Sequence, residues 1–103
     1  MSDDLHVIVG LGVTALSCAR YLTQQNIPIA LADTRLNPPQ LEEFKKAYPN
    51  VPVYLGKLED SFLSKAAKLI VSPGVSIKEP AIAKQAARAI PVIGEIELFA
   101  QAS

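Results

Sequence analysis

Hydrophobic and polar positions fall in short blocks along this chain, and the blocks alternate between two periods. Leu5 to Val9 is an apolar run rich in β-branched residues, read as a buried first strand. Behind it Ala15, Cys18, Ala19 and Leu22 recur at i, i+3, i+4 and i+7, the single stripe of an amphipathic helix, while Arg20, Gln24 and Gln25 fall outside it. Cys18 is therefore read as a small core residue. Asn26 suits the left-handed position that ends a helix, and Pro28 blocks its continuation. Ile29 to Ala32 follows as a second strand. Asn37-Pro38 reads as an N-cap with proline at the first helical position, opening a second helix with Leu41, Phe44 and Tyr48 on one face. Val51 to Leu55 predicts a third strand, Leu58 to Ala66 a short helix and Leu69 to Val71 a fourth strand. Pro80 opens another helix, with Ile82, Ala83, Ala86 and Ala87 expected inward. Ile90 to Ile93 is a fifth strand, and a last helix is expected from Glu95 to the chain end.

Strands alternating with helical patterns imply βαβ units and a parallel sheet. The expectation is one α/β domain over residues 1–103, a Rossmann-like, doubly wound, five-stranded parallel sheet with helices on both faces. Prolines suggest the strand order. A strand-internal proline belongs at a sheet edge, and Pro52 and Pro91 interrupt the third and fifth strands. The order 3-2-1-4-5 puts both at edges. Its switch point lies between strands one and four, where a ligand should bind outside the carboxyl ends. The loops facing that crevice are Gly10–Thr14, Asp33–Arg35 and Ser72–Ser76.

Composition narrows the function classes. The 103 residues are half hydrophobic, and ten Lys plus Arg balance ten Asp plus Glu. No basic field would attract nucleic acid or an anionic membrane. A single cysteine excludes an internal disulfide. The acidic Met-Ser-Asp-Asp start is unlike a signal peptide, and no apolar stretch approaches the roughly 18 residues of a membrane span. A soluble, cytoplasmic protein is expected. His6, with no second histidine in the chain, is read as a strand-end surface residue rather than a metal ligand.

Between the first strand and first helix stands Gly10-Leu11-Gly12-Val13-Thr14-Ala15, matching G-x-G-x-x-G/A. Gly10 permits the tight turn, Gly12 lets a phosphate reach the backbone, and Val13, Thr14 and Ala15 offer N–H groups at the positive end of the helix. Asp33, about 20 residues further on, stands where a dinucleotide fold places its ribose acceptor; it could equally accept a uracil imide or close an Asx turn. Arg35 could stack on a base, pair with a phosphate or be a solvated loop charge. Ser72-Pro73-Gly74 could wall a ribose or base. A P-loop is absent, because Leu58 follows Gly56-Lys57 and no glycine stands five residues before Gly56. No catalytic set and no metal cluster can be assembled. These residues leave open an NAD(P)-binding module, another nucleotide-binding domain and a domain that binds nothing.

Further motifs narrow this. GLGVTALSC at 10–18, ADTR at 32–35, Pro38-Pro39, SPG at 72–74 and GEIELF at 94–99 occur in register across the chain. Together they resemble the N-terminal domain of the D-glutamate-adding Mur ligases, the UDP-N-acetylmuramoyl-L-alanine:D-glutamate ligases of peptidoglycan synthesis, over essentially the whole chain. Asn26 departs from the glycine common in that family. The resemblance implies that the domain binds the UDP end of UDP-N-acetylmuramoyl-L-alanine. Gly12, Val13 and Thr14 would hold the diphosphate, Asp33, Thr34 and Arg35 would surround the uracil, and Ser72 and Gly74 would lie along the uridine. It implies no catalytic residue, cofactor or metal in these residues. ATP and magnesium would belong to a separate ATPase domain, which forms an acyl phosphate, and a further domain would bring D-glutamate for attack. On this resemblance the chain is a truncated, non-catalytic piece of a ligase, with those two domains as its partners.

Overall fold

A computed structural model of the chain describes residues 4–75 and 79–95, with Val13 described by its backbone alone. The elements run β1 (His6–Val9), α1 (Val13–Gln24), β2 (Ile29–Asp33), α2 (Leu41–Ala47), β3 (Val53–Leu55), α3 (Asp60–Leu63), β4 (Lys68–Val71), α4 (Pro80–Ala87) and β5 (Val92–Gly94). The five strands form one sheet in the order β3-β2-β1-β4-β5, and every pairing is parallel. The expected order is therefore found. Pro52 and Pro91 lie just before the edge strands, where each lends only its carbonyl, to Leu31 N–H and Leu69 N–H. Their missing donors cost the ladder nothing.

Alternate residues of the central strands feed two separate cores. Ile8, Leu31, Ile70 and Ile93 pack with Leu11, Ala15, Cys18, Ala19 and Leu22 and with Phe44 of α2. Val7, Val9, Leu69 and Val71 pack with Leu63 of α3 and Ile82 of α4. The two crossovers on the β2–β3 side thus cover one face and the other two cover the opposite face, which is the doubly wound arrangement. Among the described residues no helix is long and apolar enough to cross a membrane.

The helix ends follow from local chemistry. Asn26 has φ 60°, with Ile27 N–H on the Leu22 carbonyl and Asn26 N–H on that of Thr23, the paired bonds of a Schellman cap. Ala89, at φ 68°, closes α4 in the same way. Four expectations are corrected. Helix α2 begins at Leu41 rather than at Pro38, because Gln40 takes a left-handed φ of 68° and the preceding prolines form a turn. On α4 the buried residues are Ile82 and Gln85, while Ala83, Ala86 and Ala87 are exposed. Gln85 is held inside by Asp60, whose Oδ1 accepts its Nε2 at 2.6 Å. His6 begins β1 as expected, yet it is buried, with Nδ1 2.8 Å from the Asp4 carbonyl. The expected short helix from Leu58 reduces to Asp60–Leu63, flanked by buried Leu58 and Ala66. Ser76 and the expected last helix beyond Glu95 lie outside the described residues.

Candidate functional site

The carboxyl ends of β1, β2 and β4 open onto one crevice of about 420 Å³. Gly10, Leu11, Gly12, Asp33, Thr34, Arg35, Pro39, Ser72, Gly74 and Val75 line it. These residues come from the three loops that the order 3-2-1-4-5 brings to the switch point. Of the expected site residues, Gly12, Asp33, Thr34, Arg35, Ser72 and Gly74 line the crevice. Thr14 is not among the lining residues; Val13 and Thr14 follow Gly12 as the first two residues of α1.

The glycine turn is set by close contacts. Gly10 has φ +94°, and a Cβ there would stand 2.8 Å from both Ser72 Cβ and Val75 Cγ2. Its N–H is held by the Ala32 carbonyl at 2.7 Å. The turn of β1 is thereby pressed against the loop after β4, and no other residue fits. A Cβ at Gly12 or Gly74 would meet nothing within 4 Å, so at both the backbone faces open space. Among the described residues no side chain caps the start of α1, and no acidic residue lies in its first turn. The N–H groups there are left for an external acceptor at the positive end of the helix dipole.

Asp33 is the knot of the site. It is 3 % exposed, and both carboxylate oxygens are fully engaged. Oδ2 accepts Leu11 N–H at 2.8 Å and Arg35 Nη2 at 2.7 Å; Oδ1 accepts Arg35 N–H at 2.8 Å and Nε at 2.9 Å. The Asx turn that the sequence leaves as one alternative is made, and the same carboxylate also pairs with the Arg35 guanidinium. Arg35 Nη2 also donates to the Leu11 carbonyl at 2.9 Å, so both polar groups of the Leu11 backbone are tied to the β2–α2 loop. Burial by itself would push the Asp33 carboxyl up, but the bonds from Arg35 and Leu11 outweigh it and hold it below the ordinary carboxylate range. Asp33 raises the Arg35 guanidinium in return. With 51 % of its side chain exposed, Arg35 is a planar group held by one edge. A free acceptor at Asp33 is therefore not what the crevice offers. It offers Thr34, the open part of the guanidinium and the backbone of Gly12 and Gly74.

Leu11, whose contribution to the site is its backbone, and Val75 fall within loops expected to face the crevice, but nothing in the sequence singles either out. Pro39 stands out only through the Pro38-Pro39 doublet. A larger hollow of about 510 Å³ lies beside β3 and α3, with Tyr54, Lys57, Glu59, Ser61 and Lys65 among its lining residues, and it takes in none of the three loops at the switch point.

The family model of the Mur ligase MurD-like N-terminal domain matches residues 4–94. The chain belongs to this family. A UDP-N-acetylmuramoylalanine--D-glutamate ligase of Marinobacter nauticus is 52 % identical over the whole chain, which spans 23 % of that protein. Ligases of the same name from Coxiella burnetii and Pseudomonas aeruginosa are 51 % and 43 % identical over 97 % of the chain. The chain spans about a quarter of the length of these curated relatives. The crystal structure of UDP-N-acetylmuramate-alanine ligase MurC from Thermotoga maritima superposes on 93 % of the chain with a TM-score of 0.70 at 15 % identity. At that identity the likeness concerns the fold alone, which covers 21 % of that larger chain.

Proposed function

We propose that residues 1–103 form the UDP-binding domain of a UDP-N-acetylmuramoylalanine--D-glutamate ligase, and that the crevice holds the uridine diphosphate end of UDP-N-acetylmuramoyl-L-alanine. The observation that carries this is the uncapped start of α1 opening beside a crevice walled by Thr34, Arg35, Ser72 and Gly74. The diphosphate accepts from the N–H groups after Gly12, including those of Val13 and Thr14. The uracil lies against Thr34 and the exposed part of the Arg35 guanidinium, and the ribose runs along Ser72 and Gly74. Asp33 acts through others: it fixes Leu11 and aims Arg35.

The residues here do not fit ATP or a metal. Gly56-Lys57-Leu58 lacks the P-loop pattern, and among the described residues no three His, Cys, Asp or Glu side chains gather to hold an ion. ATP, magnesium and D-glutamate belong on this reading to the other three quarters of the ligase, and the 103 residues bind without catalysing. A place in the bacterial cytoplasm follows from that role.

Calorimetric titration with UDP-N-acetylmuramoyl-L-alanine, UDP and NAD tests the reading. Both uridine ligands should bind, weakly, and NAD less well. NAD binding more tightly than either would overturn it in favour of a dinucleotide module. Arg35→Ala should weaken UDP binding by roughly 1–3 kcal/mol, the range for a charge-assisted contact.

A further inference from the structure

Glu95 carries a buried carboxylate that neither fold nor crevice accounts for. It is 1 % exposed, and among the described residues neither Oε1 nor Oε2 has a hydrogen-bond partner. Buried carboxylates are ordinarily paired or neutral. Its place is set by the sheet. Gly94 pairs with Val71, so Glu95 comes level with Ser72, which lines the crevice. Ile93 faces the core layer under α1, and Glu95, two residues on, returns to that face. Its charge is felt at the Cys18 thiol of α1, which it helps burial push up to about 12. Cys18 in turn lies one helical turn from Thr14, so the carboxyl sits on the order of 10 Å behind the N–H groups of the first turn. Among the described residues no cation offsets it, and the thiol of Cys18, uncharged at neutral pH, is the titratable group that faces it.

An ionised Glu95 and an anion at the start of α1 are then like charges separated by buried protein rather than water. We propose that the diphosphate binds the form of the protein in which Glu95 is protonated, so that filling the site near neutral pH takes up one proton from solvent. The carboxylate oxygen receives that proton, and the diphosphate stays doubly ionised. This rests on the crevice being a UDP-ligand site. Burial already pushes the free carboxyl up to about 7, so both forms are populated where the protein works.

The test is calorimetry with UDP-N-acetylmuramoyl-L-alanine, whose diphosphate diester does not titrate near neutrality, in two buffers of different ionisation enthalpy. At pH 7.5 the native protein should take up most of one proton on binding, and Glu95→Gln almost none. Native affinity should fall roughly tenfold between pH 7 and pH 8.5 while that of Glu95→Gln stays flat, as expected for a linked group titrating near 7. His6, at the opposite end of β1, is unchanged in both proteins and cancels in the comparison. Carbon-13 NMR of the Glu95 carboxyl in the native protein gives a second reading that needs no variant: its midpoint should rise by about two pH units when ligand is added. Binding without proton uptake, or an unmoved midpoint, overturns the inference and leaves the crevice standing. No binding of the uridine ligand in either protein overturns the crevice itself, and the inference with it.

Discussion

Asp33→Asn is the sharpest single test of how the site is held together. The carboxylate receives one backbone N–H from Leu11 and three bonds from Arg35. Asparagine keeps one acceptor oxygen and turns the other into a donor. If the oxygen stays on Leu11 N–H, the amide NH2 opposes the N–H and Nε of Arg35; if it rotates, Leu11 N–H is orphaned. Leaving such a donor unmet costs about 1–3 kcal/mol, with bonds to charged groups at the upper end. Half of the Arg35 side chain reaches water, which discounts its share. The net expectation is about 2–3 kcal/mol of stability. Arg35→Ala should cost only about 1 kcal/mol, since both backbone N–H groups keep their bonds to Asp33. Urea unfolding gives the two values directly, and thermal melts of Asp33→Asn should fall by roughly 10–20 °C for a domain of this size. Hydrogen exchange at Leu11 should quicken in Asp33→Asn and stay slow in Arg35→Ala. An Asp33→Asn protein less perturbed than Arg35→Ala, or one melting within about 3 °C of native, would refute the account of Asp33 as the knot. The acid limb is a further check. With its folded pKa lowered, Asp33 stabilises the protein above the ordinary carboxylate pKa near 4, and this is lost as pH falls below it. Asp33→Asn should flatten that part of the stability curve.

Other perturbations have defined outcomes. Gly10→Ala combines a φ of +94° with a Cβ 2.8 Å from two side-chain carbons and should cost about 2–4 kcal/mol in denaturant unfolding, with loss of UDP binding. Ala89→Gly, at the left-handed end of α4, should stabilise by about 0.5–1 kcal/mol, and an unchanged or lower melting point would count against strain there. Glu95 acts in the opposite sense from Asp33. Its folded pKa of about 7 exceeds the unfolded value near 4.3, so its contribution is whole at low pH and is lost as pH rises through 7. That amounts to on the order of 3 kcal/mol between pH 4 and pH 7.5, read by urea unfolding across that range. Glu95→Gln should remove the slope.

The one-dimensional pattern determined the frame of this protein. Apolar runs and helical stripes marked all five strands and α1, because a buried strand or helix face depends on its own residues and their period. Pro52 and Pro91 pointed to β3 and β5 as the edges, and the order is as expected, although both prolines lie just before their strands, as Pro28 does before the central β2. The crevice was legible for the same reason: strand order and glycine turn together name the loops that meet. What the pattern left undecided is set by contacts distant in the chain. Whether Asp33 is free for a ligand depends on Leu11, 22 residues before it, which shares one oxygen with Arg35 while Arg35 alone holds the other. Gln85 is inside because Asp60 reaches it, and α2 starts late because Gln40 turns left-handed. Glu95 read as a polar residue near a helix start, and only the fold buries it with no hydrogen-bond partner among the described residues. Hydrophobic period is a local property, whereas the charge state and availability of a polar group belong to whatever the fold brings against it.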